Sequence, residues 1–302
     1  KEVGSMKSVI SIGNQDFISI RKNNCFYIDK TDFIREWWEN QDSVTLITRP
    51  RRFGKTLNMS MTEYFFSVNY SDMGQYFKEL SIWKEERFRE IQGTYPVISL
   101  SFADIKATTY ESARMSIIRK LVRLYSAFDF IRSSEVLNEK DRTYFDSVGE
   151  DMSDDAAAVG INYMSDYLSR YYGKKVIILL DEYDTPLQEA YVHGYWEELT
   201  AFIRSLFNST FKTNPYMERG LLTGITRVSK ESIFSDLNNL EVVTTTSEKY
   251  STSFGFTEEE VFTVLENAGI PEEKEHVRYW YDGFSFGNRK DIYNPWSITK
   301  YL

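Results

Sequence analysis

Apolar residues along this chain fall into two rhythms. Short unbroken runs alternate with longer stretches whose apolar side chains recur every third or fourth position. The runs are SVTLIT (43–48), YPVISLSFAD (95–104), KKVIILLDEYD (174–184), RGLLTGIT (219–226) and LEVVTTT (240–246). They predict strands buried on both faces. Between them, LNMSMTEYFFSV, YESARMSIIRKLVRLYSAF, INYMSDYLSRYYG and YWEELTAFIRSLFNSTFK have helical spacing, with Gly173 closing the third. An earlier helix is expected from near Lys30, with Asp29 or Thr31 as N-cap and Phe33, Ile34, Trp37 and Trp38 on one face. Residues 133–155 are polar and acidic, and from TEEEVFTVLENAG onward the pattern is helical. Strands alternating with helices predict an α/β fold with a mostly parallel sheet. The expected division is a core over 6–250, with an N-terminal extension, and a small helical lid or subdomain over 251–302. Gly4-Ser5-Met6 reads as a vector-derived scar before a native start at Met6, so residues 1–5 are set aside.

Composition narrows the class. The chain is 42% hydrophobic and 27% charged, an ordinary globular profile. Its single cysteine, Cys25, excludes an internal disulfide. His193 and His276 stand in no ligand-spaced motif, so no histidine metal site is expected. No apolar run reaches the ~18 residues of a membrane span. No secretory-signal pattern opens the chain, so the expected compartment is the cytoplasm. The net charge is −9, but the first 60 residues carry +3 and the rest −12. Charge therefore gives nucleic acid no support as a partner.

RPRRFGKT (49–56) directly follows the first predicted strand and opens a predicted helix. Its end fits the phosphate-binding pattern G-x-x-x-x-G-K-[ST], but Arg49 stands where the first glycine belongs. Pro50 must help make that turn by fixing φ. In such a loop, backbone N–H groups and a helix N-terminus face the phosphates. The candidates are Arg52, Phe53 and Gly54 along the loop, Lys55 for the β- and γ-phosphates, and Thr56 for Mg²⁺. GKT alone recurs by chance, and a capped helix with a solvated basic turn is the plain alternative.

VIILLDEYD adds weight. Asp181, at the end of a buried strand, suits Mg²⁺, and Glu182 suits deprotonation of a water. Adjacent carboxylates on a strand face opposite sides, so different roles are expected. A polar loop start is the alternative. In LLTGITRVSKESIF, Thr226 is the expected γ-phosphate sensor. Arg227 is a candidate for neutralising transition-state charge in cis, or for pairing with surface carboxylates.

GNQDFISIRKNNCFYIDKT, TRPRRFGKT, VIILLDEYDTPL, GLLTGITRVSKESIFSDLNNL, SFGFTEEEV and WYDGFSFGNRKDIYNPWSI, in this order, resemble the predicted AAA-ATPase-like family of bacteria and archaea. That family is related to the archaeal and signal-transducing P-loop ATPases. It usually has arginine at the position of Arg49, so the resemblance implies a working nucleotide cradle. It also implies a P-loop NTPase core with strand order 5-1-4-3-2. Phosphates would bind at Gly54, Lys55 and Thr56, Mg²⁺ at Thr56 and Asp181, and Glu182 would be the general base. It transfers no role to Tyr183, Asp184, Asn238, Asn239 or Trp280, and WYDGFSF is expected to pack. Family members often continue into a nuclease-like PD-(D/E)XK domain, whose motif is absent here; such a domain or another effector is a partner expected outside this chain.

The leading expectation is a Mg²⁺-dependent ATPase acting as a conformational switch. A P-loop phosphotransferase (kinase) and a nucleotide-binding regulatory module with negligible turnover are the alternatives. ATP is the default over GTP, because no N-K-x-D stretch occurs. Tyr27 and Phe17 could stack on a base but are expected in the core. The oligomeric state is not readable; Arg204, Arg219 and Arg227 are all candidates for a trans-acting arginine.

Overall fold

The computed structural model describes residues 9–226, 233–281 and 283–302. Its central sheet contains β1 (Val44–Thr48), β2 (Val97–Ser101), β3 (Val176–Asp181), β4 (Met217–Gly224) and β5 (Leu240–Val243). Their spatial order is β2-β3-β4-β1-β5, the expected 5-1-4-3-2 read from the other edge. Every pairing is parallel.

Alternation along the strands builds two cores. Val44, Leu46, Ile178, Leu180 and Leu222 face the helices Tyr110–Ala127, Gly160–Tyr172 and Trp196–Phe207. Ile47, Ile177, Leu179, Leu221 and Val243 face the other layer. That layer holds α1 (Phe17–Lys22), α2 (Asp32–Asn40) and α3 (Lys55–Phe66). Both faces are covered, which is why β1 and β3 read as unbroken apolar runs. Because the strands are parallel and in register, with Thr48 beside Gly224 and Leu180 beside Leu222, the carboxyl ends of β1, β3 and β4 lie side by side. In open α/β sheets such ends form the ligand crevice.

Several boundaries differ from the expected ones for local reasons. The β4 strand stops at Gly224, because the amides of Ile225 and Thr226 donate to the Asp184 carboxylate instead of continuing a ladder. β5 stops at Val243, where the Thr244 amide donates to the Ser247 hydroxyl. The helix Trp196–Phe207 passes into a π-helical turn, Asn208–Lys212. The stretch after residue 250 is not simply helical. It contains a three-stranded antiparallel sheet, β6 (Phe256–Thr257), β7 (Phe284–Phe286) and β8 (Arg289–Tyr293), beside three α-helices, Glu258–Asn267, Lys274–Trp280 and Pro295–Tyr301. These strands are too short and too exposed to leave an apolar run in the sequence. Among the described residues, no helix is long and apolar enough to cross a membrane.

Gly224 ends β4 where the Tyr183 ring and the Asp184 carboxylate press in. An added Cβ would lie 2.6 Å from Tyr183 Cε1 and 2.8 Å from Asp184 Oδ1. Gly224→Ala should therefore lower stability by about 1–3 kcal/mol through overpacking. A lower urea midpoint at unchanged slope is the expected result, and an unchanged midpoint would contradict this packing.

Candidate active site

The loop Arg49–Gly54 leaves the end of β1 and turns into α3. Gly54 sits at φ +81°, a left-handed conformation that glycine adopts without cost. Arg52 holds a similar conformation at φ +68° with a side chain attached. Thr56, in the first turn of α3, donates its hydroxyl to Asp181 Oδ2 at 2.7 Å. Thr223 on β4 donates to the other oxygen, Asp181 Oδ1. One nearly buried carboxylate at the end of β3 thus ties together the loop helix and two strand ends.

Lys55 is also nearly buried. Its ammonium donates to the carbonyls of Arg49 (3.0 Å) and Pro50 (2.8 Å). No carboxylate among the described residues ion-pairs with it. Burial pushes the amine down from its ordinary range, and the nearby charges of Glu182, Asp181 and Asp184 offset part of that shift. A desolvated ammonium resting on neutral carbonyls suits an anionic partner.

Glu182 lies outside the strand, at φ +51°. Its separation from Asp181 comes from this turn and not from alternation along a strand. Its Oε2 accepts from the Thr185 hydroxyl at 3.2 Å. Glu182 lines the same cavity, about 470 Å³, as Lys55 and Thr56. The cavity is also bounded by residues 11–15 and 26–28 near the N-terminus and by Trp296 and Thr299 of the last helix. Arg51, Arg52 and Lys106 line it as well, and none of them has a carboxylate partner among the described residues. In a chain of net charge −9, this cavity gathers cations.

A sequence model of the family described as predicted AAA-ATPase matches residues 11–234. The chain belongs to that family. It is also similar, at 26% identity over 294 residues, to a protein of Azotobacter chroococcum mcd 1 described as an uncharacterized protein in the vnfD 5′ region. That similarity takes in 96% of this chain and 51% of the relative, so the chain spans about half the length of the curated relative it matches. No solved structure matches.

The matched residues 11–234 contain the whole assembly around Asp181. The structure brings Gly54, Lys55, Thr56, Glu182, Arg52 and Phe53 to one cavity; Asp181 does not line it and is joined to it through its hydrogen bond with Thr56. The Phe53 ring is buried against Phe286 and Ile292. Thr226 is placed differently. It lines a separate groove with Tyr191 and Trp196, and its hydroxyl donates to Asp184. The polar residue that β4 contributes to the assembly is Thr223, which sequence reasoning missed. The signal was a threonine flanked by Leu222 and Gly224 inside the run RGLLTGIT. Arg227 lies outside the described residues. Arg219, near the start of β4, is buried and donates to the Trp37 carbonyl at 2.9 Å. Phe17 is core, stacked on Phe77, whereas Tyr27 lines the cavity. WYDGFSF packs only in part, because Phe286 is buried while Trp280 and Phe284 are exposed.

Asp184 was given no role from sequence, yet it is fully buried and accepts four hydrogen bonds on Oδ2. The donors are the amides of Ile225 (3.0 Å) and Thr226 (2.8 Å), the Thr226 hydroxyl (2.9 Å) and the Gln188 side chain (2.9 Å). Asp184→Ala strands these donors and should cost about 3 kcal/mol or more, and Asp184→Asn clearly less. Chemical denaturation of the two variants checks this; equal losses would contradict it.

Proposed function

We propose that this chain binds a nucleoside triphosphate, by default ATP, with Mg²⁺, and hydrolyses it as a conformational switch. The observation that carries the reading is the meeting of Thr56, Thr223 and Asp181 below a cavity that also receives Lys55 and Glu182. Thr56 and Asp181 form an all-oxygen donor pair, which suits a hard cation such as Mg²⁺. Bound Mg²⁺ would neutralise charge on the phosphate oxygens. Lys55, held by two neutral carbonyls, can swing to a phosphate without breaking an ion pair. The N-terminus of α3, entered through Gly54, directs backbone N–H groups at the same place.

Two adjacent carboxylates then have separate tasks. Asp181 is fixed by two hydroxyls and stays on the metal side. Glu182, anchored by one weaker contact to Thr185 and open to the cavity, takes a proton from an attacking water. Thr223 sets the orientation of Asp181, which together with Thr56 would hold the metal.

Lys55→Ala should weaken Mg²⁺–ATP binding at least about 100-fold. Glu182→Gln should keep binding within a few-fold of wild type and lower turnover about 10²–10⁴-fold. Phosphate release with no acceptor present, together with equilibrium binding, reads both. Wild-type turnover in Glu182→Gln would remove the base assignment. Tight binding without phosphate release by the unmodified chain would favour a phosphotransferase or a regulatory module.

A further inference from the structure

Arg49 occupies the place of the glycine that a phosphate loop usually has, and it does not face the cavity. Its side chain runs into the protein and is fully buried. Nη1 donates to the carbonyls of Thr48 (3.0 Å) and Thr244 (2.7 Å), and Nη2 to those of Lys249 (3.5 Å) and Tyr250 (3.4 Å). The guanidinium lies over the ring of Phe286 at 4.6 Å and that of Phe254 at 5.7 Å. Among the described residues no carboxylate pairs with it and its Nε has no hydrogen-bond partner. Burial pushes this guanidinium down to about 10. A buried charge is costly to keep, and a planar fork is the side chain able to collect carbonyls and a ring face together.

The backbone of the same residue touches the proposed chemistry. The Arg49 carbonyl accepts from the Lys55 ammonium, so any anion that draws Lys55 away takes a partner from Arg49. The other end of the loop meets the same hairpin. Phe53 seats against Phe286 and Ile292, and its carbonyl accepts from the Gly255 amide at 3.1 Å. The hairpin β7–β8 therefore touches the loop at both ends, through Arg49 and through Phe53.

We propose that Arg49 is a positioning residue that links the phosphate loop to the β7–β8 hairpin, so that a nucleotide drawing on Lys55 tightens the seating of that hairpin. This rests on the nucleotide-binding reading above. An arginine that serves packing alone would hold the hairpin equally with and without nucleotide.

The test is hydrogen exchange of the 284–293 amides with and without Mg²⁺–ATPγS, with nucleotide binding measured in parallel. In the unmodified chain, nucleotide should slow exchange at least about ten-fold. In Lys55→Ala it should slow nothing. Arg49→Lys keeps the charge but loses the fork; nucleotide should still bind, while the slowing falls below about two-fold. If Arg49→Lys does not fold, Phe286→Leu breaks the same contact from the hairpin side and should give the same uncoupling. Full slowing in whichever of these variants is used overturns the proposal. Binding by the unmodified chain with no change in the hairpin overturns the coupling alone, and no binding at all overturns the nucleotide reading and the coupling together.

Discussion

The carboxylate of Asp181 is the constraint on which the site depends. A charged group this deeply buried needs hydrogen-bond donors, and it finds one on each side: Thr56 from the helix after β1, and Thr223 from β4. Those two contacts fix the spacing of three neighbouring strand ends. The parallel sheet brings the ends together, and the carboxylate sets how they meet. Glu182 follows Asp181 just outside the strand with a left-handed backbone, and it lines the cavity that Lys55 also lines.

Much of this was legible in the chain. Five apolar runs gave five strands; β1 and β3, covered on both faces, show no polar alternation at all. Lys55 and Thr56 could be picked out by the Gly-Lys-Thr that closes the loop after β1, and Asp181 and Glu182 by their place at the end of an apolar run. What escaped depends on contacts across the fold. Thr223 is one threonine inside a strand until β3 is seen beside it. Thr226 sits where a sensor was expected, but Asp184 takes both its amide and its hydroxyl. The strands β6 to β8 are short and partly exposed, and β6 pairs with β8 more than 30 residues further along the chain, so no apolar run marks them in the sequence.

Arginine in place of a loop glycine also has a physical reading. The turn out of β1 is made with Pro50 and a left-handed Arg52, and the side chain of Arg49 is released to bind carbonyls under the C-terminal hairpin. The loop is thereby built into the packing of the following segment. Phe53 packs on the hairpin, Arg52 stacks on Trp296 at 3.9 Å, and Asn58 of α3 donates to the Ser253 carbonyl at 2.8 Å. A ligand on this loop would act on a surface already joined to residues 250–302.

The central claim is that the loop, Lys55 and the Asp181 assembly form a site for a nucleotide with its metal. Equilibrium dialysis of the unmodified chain against labelled ATPγS, with Mg²⁺ and then with excess chelator, tests it most directly. The account predicts saturable binding of one nucleotide per chain, weakened at least about ten-fold when Mg²⁺ is removed. Absence of saturable binding in the presence of Mg²⁺ would contradict it.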